Sequence, residues 1–307
     1  MLFLFVKSLY FIYGGRGGGP IFELFNYLRY IIQISMKLSR SRLSMRNRYF
    51  VAIIAIMPLI ILSQAKGQNV ATEGLVSAWT FEKSTFQGKV LKDVWGKNDG
   101  VIEGAPKIVK GQINQAIELN GSGDHIALEN PKGLPAGDDT YAFEVWFFAN
   151  EVGGAKGLIG WGLWTGNQCN CFRLKDNGFR HYWWGNDLDW AAPKSMEKNW
   201  HHAIAQYDGT TRSLWYDGEM VTSDKPAKGV HNAQMENAGI GITAKGQSNE
   251  FFAGMLDDVR VYNRALKPAE VKGNFANGSN NWLVVVKPKD KLASYWGAVK
   301  DRSSVEE

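Results

Sequence analysis

An aromatic stretch near the middle of the chain is the clearest candidate for ligand chemistry. Five of the 12 tryptophans fall between Trp161 and Trp190, and residues 179–187 read Phe-Arg-His-Tyr-Trp-Trp-Gly-Asn-Asp. Alternation along a strand would divide this stretch between two faces: Phe179, His181 and Trp183 on one, Arg180, Tyr182 and Trp184 on the other. Because an unpaired guanidinium is costly to bury, the face that carries the arginine is expected to meet solvent.

Such a face suits a sugar ring, whose C–H side is apolar and whose rim carries hydroxyl groups. Aromatic rings stack on the apolar side, while amide and carboxylate groups hydrogen-bond the rim. The predicted carbohydrate site therefore consists of Trp164, Arg180, Tyr182, Trp184, Asn186 and Asp187. The competing interpretation is that these rings fill the core of a large β-sandwich and cover its edges.

Metal and redox chemistry receive less support from the sequence. His201 and His202 are consecutive, so a regular strand points them to opposite faces and they cannot share one ion. Cys169 and Cys171, the only cysteines, would share a face, and a disulfide across one residue is strained. Two small, partly buried residues are the plainer interpretation of this pair, and a strained redox pair is the alternative.

The chain that positions these residues is a succession of strands and turns. After residue 68, apolar runs such as 75–81 and 141–150 alternate with loops rich in Gly and Asp, and no long repeat is evident. The dipeptides at 208–209 and 217–218 are both Asp-Gly, which favours tight hairpin turns. The pattern predicts an all-β fold, a sandwich of two antiparallel sheets.

The first 67 residues differ in charge from the rest. They hold nine of the 35 basic residues and one of the 30 acidic ones, so residues 68–307 carry 26 and 29, a net of −3. Residues 45–67 combine a short basic segment, an uncharged apolar run and small residues, which predicts a secretory signal peptide. For residues 1–44, a start assigned too far upstream is the preferred explanation, and a membrane-anchored N-terminus is the alternative.

The predicted mature protein is therefore mildly acidic, which removes the main electrostatic support for nucleic-acid binding. It is expected to be secreted, either extracellular or periplasmic, with residues 68–282 as the folded domain and 283–307 as a tail. The apolar run at 49–62 is shorter than the roughly 20 residues that span a bilayer. Contact with a membrane is therefore expected only through an uncleaved N-terminus.

Three stretches of the predicted domain resemble a known family. Residues 200–218 contain WHHA, YDG and a second YDG, and residues 254–266 read GMLDDVRVYNRAL. The opening strand at 74–81 is followed by a loop with Asp93, Gly96, Asn98, Asp99 and Gly100. In this order, the stretches resemble the laminin-G-like, concanavalin A-like jelly-roll family of bacterial extracellular proteins. The resemblance implies a jelly-roll sandwich.

Members of this family frequently carry a structural calcium ion, so the resemblance also implies one here. Asp93, Asn98 and Asp257 are its expected ligands, together with loop carbonyls, because Ca²⁺ takes about six to eight oxygen ligands and often joins loops. The alternative is that the carboxylates hydrogen-bond loop amides or Arg260.

Catalysis is not expected. Laminarinase-type hydrolases on a related jelly roll use Glu, Asp and Glu at nearly alternate strand positions, whereas Glu144 stands alone and residues 187–189, Asp-Leu-Asp, have no Glu beside them. The chain shows no Ser nucleophile elbow, phosphate-binding Gly loop or zinc signature. We therefore expect a secreted, non-catalytic module that binds a glycan. An extracellular structural or adhesion domain that contacts a cell-surface or matrix protein is the alternative.

Overall fold

The structure, a computed structural model, describes residues 70–246 and 249–278. The predictions for residues 1–44, for the signal peptide at 45–67 and for the tail at 283–307 concern segments outside these residues. Within the described ranges, the helices include none with the length and apolar character needed to cross a membrane.

The described residues form seventeen strands joined by turns. In chain order these are β1 (Leu75–Trp79), β2 (Phe86–Gln87), β3 (Val90–Leu91), β4 (Gly100–Glu103), β5 (Lys107–Lys110), β6 (Gln115–Asn120), β7 (His125–Leu128), β8 (Tyr141–Ala149), β9 (Ala155–Gly162), β10 (Cys169–Lys175), β11 (Gly178–Tyr182), β12 (Leu188–Ala191), β13 (Trp200–Tyr207), β14 (Arg212–Tyr216), β15 (Glu219–Asp224), β16 (Gly239–Ile240) and β17 (Ala253–Tyr262). A 3₁₀ turn at Lys83–Thr85 follows β1, and helix α1 (Pro268–Asn277) follows β17.

The strands make two antiparallel sheets. In one, the order is β15-β14-β13-β8-β17-β6-β5, and β1 also pairs with β17; in the other, it is β12-β11-β10-β9-β16-β7-β4-β3-β2. Strands far apart in sequence, such as β8 and β17, are neighbours, which is the crossed order of a jelly roll. The prediction of an all-β, two-sheet antiparallel jelly-roll sandwich is therefore confirmed.

The central strand β8 shows why the sheets have two covered faces. Phe143 and Phe147 point into the core between the sheets, where both are fully buried. On the other face Glu144 is also fully buried, and Asn274 of α1 donates to it at 2.7 Å. A strand covered on both sides reads as the nearly continuous apolar run seen at 141–150.

Short-range signals set the turns and the helix. Asp217 and Gly218 both have positive φ, 48° and 83°, as a primed two-residue hairpin turn requires. Helix α1 begins with Pro268, and the backbone N–H of Lys267 donates to the carboxylate of Glu270 at 2.8 Å. The helix continues to Asn277, and its inner side packs on the sheet.

Candidate functional site

The inward face of β11 packs into the core, as alternation predicts. Phe179, His181 and Trp183 are each 0% exposed. The imidazole of His181 finds a polar partner there, because its Nε2 lies 2.6 Å from the hydroxyl of Tyr141. That hydroxyl also accepts the indole N–H of Trp183 at 2.8 Å. Burial holds the pKa of His181 well below its usual range, which keeps the ring neutral.

Arg180 lies on the outer face, but it is paired. Its guanidinium makes a bidentate contact with Asp189, at 2.6 Å from Nε and 2.5 Å from Nη2, and Nη1 lies 3.4 Å from Asp187. Asp187 also accepts the backbone N–H of Trp183 at 3.0 Å. The side chains predicted to hold a sugar, Arg180 and Asp187, are thus engaged within the protein, Arg180 mainly by Asp189, and these contacts fix the turn after β11.

Tyr182 is also on the outer face, but the prediction that it meets solvent is wrong. Its side chain is only 9% exposed. The guanidinium of Arg173 lies 3.8 Å from the centre of its ring, and Arg173 is itself held by Glu250 at 2.5 Å. Alternation gave the correct face of the sheet, but it could not show that a neighbouring strand brings an arginine over the ring.

Trp184 and Trp164 form a partly exposed aromatic pair on this face. Trp184 lies just beyond β11, where its positive φ of 62° ends the strand, and Gly185 follows with φ 96°. Its ring is half-buried and meets the half-buried ring of Trp164 at 4.8 Å between centroids. The indole N–H of Trp164 is buried and has no hydrogen-bond partner among the described residues.

Asn186 takes part in the same turn through its backbone. Its carbonyl oxygen accepts Nη1 of Arg212 at 2.5 Å, and Arg212 lies over the ring of Trp183 at 4.0 Å. The side chain of Asn186 is half-exposed, two residues from Trp184. Of the six predicted sugar-binding residues, Tyr182 is therefore buried and the other five are partly exposed. Among those five, Arg180 and Asp187 are ion-paired.

A groove of about 780 Å³ adjoins Trp164 on the outer face of the nine-stranded sheet. Its lining includes Glu103, His125, Trp164, Lys245, Glu250 and Phe251. The rings of His125 and Phe251 lie 5.5 Å apart, and Glu103 pairs with His125 across β4 and β7. The groove thus combines aromatic rings with polar and charged groups.

The sequence contained a signal for part of this groove. In β7, Ile126 and Leu128 point into the core, so His125 is placed on the outer face by the same alternation that was applied to β11. Phe251 gave no such signal because it lies before β17, in a segment without strand periodicity. Only the fold brings it beside β7.

Backbone N–H groups bind both carboxylate oxygens of Asp93. The Oδ1 atom of Asp93 accepts three backbone N–H groups, from Ala78, Trp95 and Gly96, and its Oδ2 accepts that of Asn98. The amide group of Asn98 is engaged with Ser77 Oγ and with the backbone of Lys132. This is the arrangement named as the alternative to calcium, in which the carboxylate binds loop amides.

Asp257 belongs to a different set of contacts. Its Oδ2 accepts the backbone N–H of Ile113 at 2.9 Å, while the neighbouring Asp258 binds Arg260. Burial and the charge of Asp258 raise the pKa of Asp257 to about 9, so this carboxyl is protonated at neutral pH. Among the described residues, no group of three or more His, Cys, Asp or Glu side chains is arranged to hold a metal. The geometry therefore lends no support to a calcium site at Asp93, Asn98 and Asp257.

The two histidines of β13 point to opposite faces, as predicted. His202 is fully buried, with Nε2 at 3.0 Å from Glu144, whereas His201 contacts Asp217 at 2.9 Å. Glu144 is also held by Arg260 at 2.8 Å. Burial alone would raise the pKa of Glu144, but Arg260 and His202 lower it to about 2. This buried network fastens α1 to the sheet and leaves no open position for a substrate.

These two sheets and the groove on one of them define the class of protein as a jelly-roll sandwich with a candidate ligand-binding face. Residues 120–272 match the family described as the concanavalin A-like lectin/glucanases superfamily. The domain is a laminin-G-like member of that superfamily, as the sequence motifs imply. No curated protein matches the chain.

Solved structures share the fold at low identity. The binding domain of Paraclostridial Mosquitocidal Protein 1 is 18% identical with a TM-score of 0.51, over 66% of this chain and 52% of that one. The binding domain of botulinum neurotoxin serotype G is 12% identical, with a TM-score of 0.52 over 67% and 51%. Trypanosoma rangeli sialidase, solved with sialic acid, is 16% identical, with a TM-score of 0.52 over 68% and 33%. The chain thus spans about half of each toxin domain and a third of the sialidase.

Proposed function

We propose that the domain is a non-catalytic carbohydrate-binding module that holds a sugar chain on the outer face of its nine-stranded sheet. The observation that carries this proposal is the half-buried pair of Trp164 and Trp184 beside the groove of about 780 Å³. Aromatic rings at the surface stack on the apolar side of a sugar.

The polar groups of the groove suit binding better than hydrolysis. Glycosidases generally divide acid and base or nucleophile roles between two carboxyl groups that flank the scissile bond. Here the groove lining includes two carboxyl groups, Glu103 and Glu250, and that of Glu250 is already ion-paired with Arg173 at 2.5 Å. Names of the structural neighbours are in keeping with recognition: two are called binding domains, and the sialidase was solved with sialic acid.

We also propose that the protein acts outside the cell, after removal of residues 45–67. The composition of the N-terminus supports this part of the proposal. A mildly acidic mature chain would meet neutral or basic glycans without strong repulsion.

The test is affinity gel electrophoresis of the full-length protein in a panel of soluble polysaccharides: arabinan, xylan, mixed-linkage β-glucan, pectin and a sialylated mucin. We expect one or more to retard the protein, and Trp184→Ala to weaken that binding by about 1–3 kcal/mol, the range for aromatic stacking platforms. Trp200→Ala is the matched control, because Trp200 is a half-buried tryptophan on the other sheet. Equal retardation of folded Trp184→Ala and wild type would remove Trp184 from the site, and no retardation by any polysaccharide would refute the proposal.

Protein adhesion is the second candidate, and one feature of the opposite sheet favours it. Phe275 of α1 is 36% exposed and stacks on Trp146 at 5.6 Å, and Met220 of the edge strand β15 is 54% exposed. Exposed apolar side chains suit contact with another protein where they form a continuous patch. Met220→Lys should abolish such adhesion and leave retardation by a polysaccharide unchanged, which separates the two functions.

A further inference from the structure

Two cysteine thiols lie side by side beneath the tryptophan pair. Cys169 and Cys171 follow each other on one face of β10, with 3.4 Å between their sulfur atoms, and both are free and fully buried. They form a small cluster with Tyr182 and Ala244, against which Trp164 and Trp184 pack. The two thiols thus lie beneath the partly exposed pair of Trp164 and Trp184, called the aromatic surface below.

We propose that Cys169 and Cys171 are a reversible dithiol–disulfide site beneath the aromatic surface. Residues two apart on a strand have Cα atoms about 6.6 Å apart, from a rise of about 3.3 Å per residue. Disulfides are found at Cα separations of about 4.4 to 6.8 Å. That places an ideal pair of this spacing at the upper limit of the range. A disulfide also needs Cβ atoms about 3.5–4.5 Å apart, closer than a regular strand brings them, so the bond requires β10 to bend locally. It forms with strain and is readily reduced, as regulatory disulfides are.

The surroundings favour a disulfide over a bound metal ion. The sulfur of Cys169 lies 3.5 Å from the carbonyl oxygen of Tyr182, and that of Cys171 lies 3.7 Å from the carbonyl oxygen of Trp161. The hydrogen bond with Cys171 and burial both raise the pKa of Cys169. A metal bis-thiolate would place charge in this dry site, whereas conversion of two thiols to a disulfide leaves it neutral.

Because both thiols are buried, access to their sulfur atoms controls the rate of disulfide formation. A thiolate is the attacking species in disulfide exchange, so the reaction waits until Trp164 and Trp184 move and water reaches the sulfurs. Both rings lie in turns rather than in strands, at residues 163–168 and 183–187. Such segments open locally at a lower free energy than the strands beneath them.

The reaction is an exchange with a small-molecule disulfide. One cysteine thiolate attacks a sulfur of R–S–S–R, which forms a mixed disulfide and releases one thiol RSH. The second cysteine then attacks the protein sulfur of that mixed disulfide and releases a second RSH. Two protein thiols lose two electrons and two protons in total, and one R–S–S–R becomes two RSH.

One consequence rests on the proposed function. Bond formation would bring the sulfurs from 3.4 Å to about 2.05 Å, a movement of more than 1 Å directly under Tyr182 and the tryptophan pair. A sugar stacked on Trp164 and Trp184 would hold these two rings in place over the thiols and slow the oxidation. Oxidation would in turn alter the surface that the sugar contacts.

The experiment exposes the full-length protein to oxidised glutathione and follows the free thiols and the intact mass over time. We expect both thiols to disappear with the loss of two hydrogens and no retained glutathione, and to return with dithiothreitol. Cys171→Ser should instead retain one glutathione adduct. Trp184→Ala and Trp164→Ala each remove one of the two rings that lie over the thiols. Each variant should oxidise about tenfold faster, because local opening controls access. Trp200→Ala is the control and should oxidise at the wild-type rate.

Two outcomes would overturn the proposal. One is native wild-type protein that keeps both thiols under conditions that modify them in the urea-unfolded chain. The other is the addition of two glutathiones, which would show that the ring does not close. None of these measurements uses a sugar, so the dithiol proposal can fail or succeed independently of the carbohydrate-binding proposal. Retardation of the oxidised protein by the polysaccharide panel then tests the link between them.

Discussion

Replacing Trp183 with alanine should destabilise the domain far more than replacing its neighbour Trp184. Trp183 is fully buried and stacks on His231 at 3.9 Å, with ring planes 4° apart. The guanidinium of Arg212, which is 0% exposed, lies 4.0 Å from the centre of the Trp183 ring. The indole N–H of Trp183 donates to the hydroxyl of Tyr141. Trp184 lacks this enclosure, because its ring is half-buried at the surface.

The expected loss for Trp183→Ala follows from these contacts. Truncation of a buried aromatic side chain to alanine removes about 3–5 kcal/mol of the free energy of unfolding. The desolvated cation–π contact with Arg212 is worth about 2 kcal/mol, and part of it is already included in the first figure. We therefore expect a loss near the upper end, about 5 kcal/mol for Trp183→Ala, and less than about 1 kcal/mol for Trp184→Ala, a surface change.

Urea unfolding at pH 7, followed by far-UV and near-UV circular dichroism, measures both losses. The wild-type protein and the two variants should have the same slope with urea, so that the midpoints report stability alone. If Trp183→Ala lost less than about 2 kcal/mol, below the range for buried aromatic truncation, the enclosure of Trp183 would be refuted. Equal losses for both variants would refute the assignment of the two rings to opposite environments.

Three further predictions concern the limits of the domain and its buried acids. A fragment that begins at Gln68 should be soluble and unfold cooperatively in urea; insolubility of this fragment beside a soluble chain from Met45 would contradict it. Glu144, with its pKa lowered to about 2 from 4.5, stabilises the fold above pH 4.5, and this contribution is lost as pH falls towards 2; Glu144→Gln should flatten that acid limb of the melting temperature. Asp257, with its pKa raised to about 9 from 3.8, becomes steadily more destabilising as pH rises from about 4 to 9. Asp257→Asn should therefore raise the melting temperature at pH 8. If calcium instead raised the melting temperature of the wild-type protein and Asp257→Asn abolished that rise, the calcium prediction would be supported.

The sequence predicted the architecture well because its signals for strands and turns are local. Alternation in β11 and the Asp-Gly turn at 217–218 each depend on residues close in the chain. The closing strand β17 is recognisable by its buried arginine: Arg260 is fully buried and paired with Glu144 and Asp258. The residues that identify the family are therefore those that hold the two sheets and α1 together.

The candidate site was predicted less completely because it depends on contacts between distant segments. Arg180 looked accessible, but Asp189 on β12 neutralises it, and Arg173 on β10 covers Tyr182. In both cases a neighbouring strand supplies the partner, and strand pairing cannot be read from one stretch. Phe251 enters the groove for the same reason, across 126 positions from His125.

The roles of Trp183 and Trp184 show how one backbone change divides two adjacent residues. Regular alternation predicts opposite faces for them, but Trp184 lies outside β11 and its φ is 62°. The ring of Trp184 lies 5.7 Å from that of Tyr182 between centroids and packs against the cysteine cluster. It also meets Trp164, a residue from a different loop. Trp183 therefore lies in the core and Trp184 lies at the surface. The aromatic face forms because β11 ends at Tyr182, before Trp184.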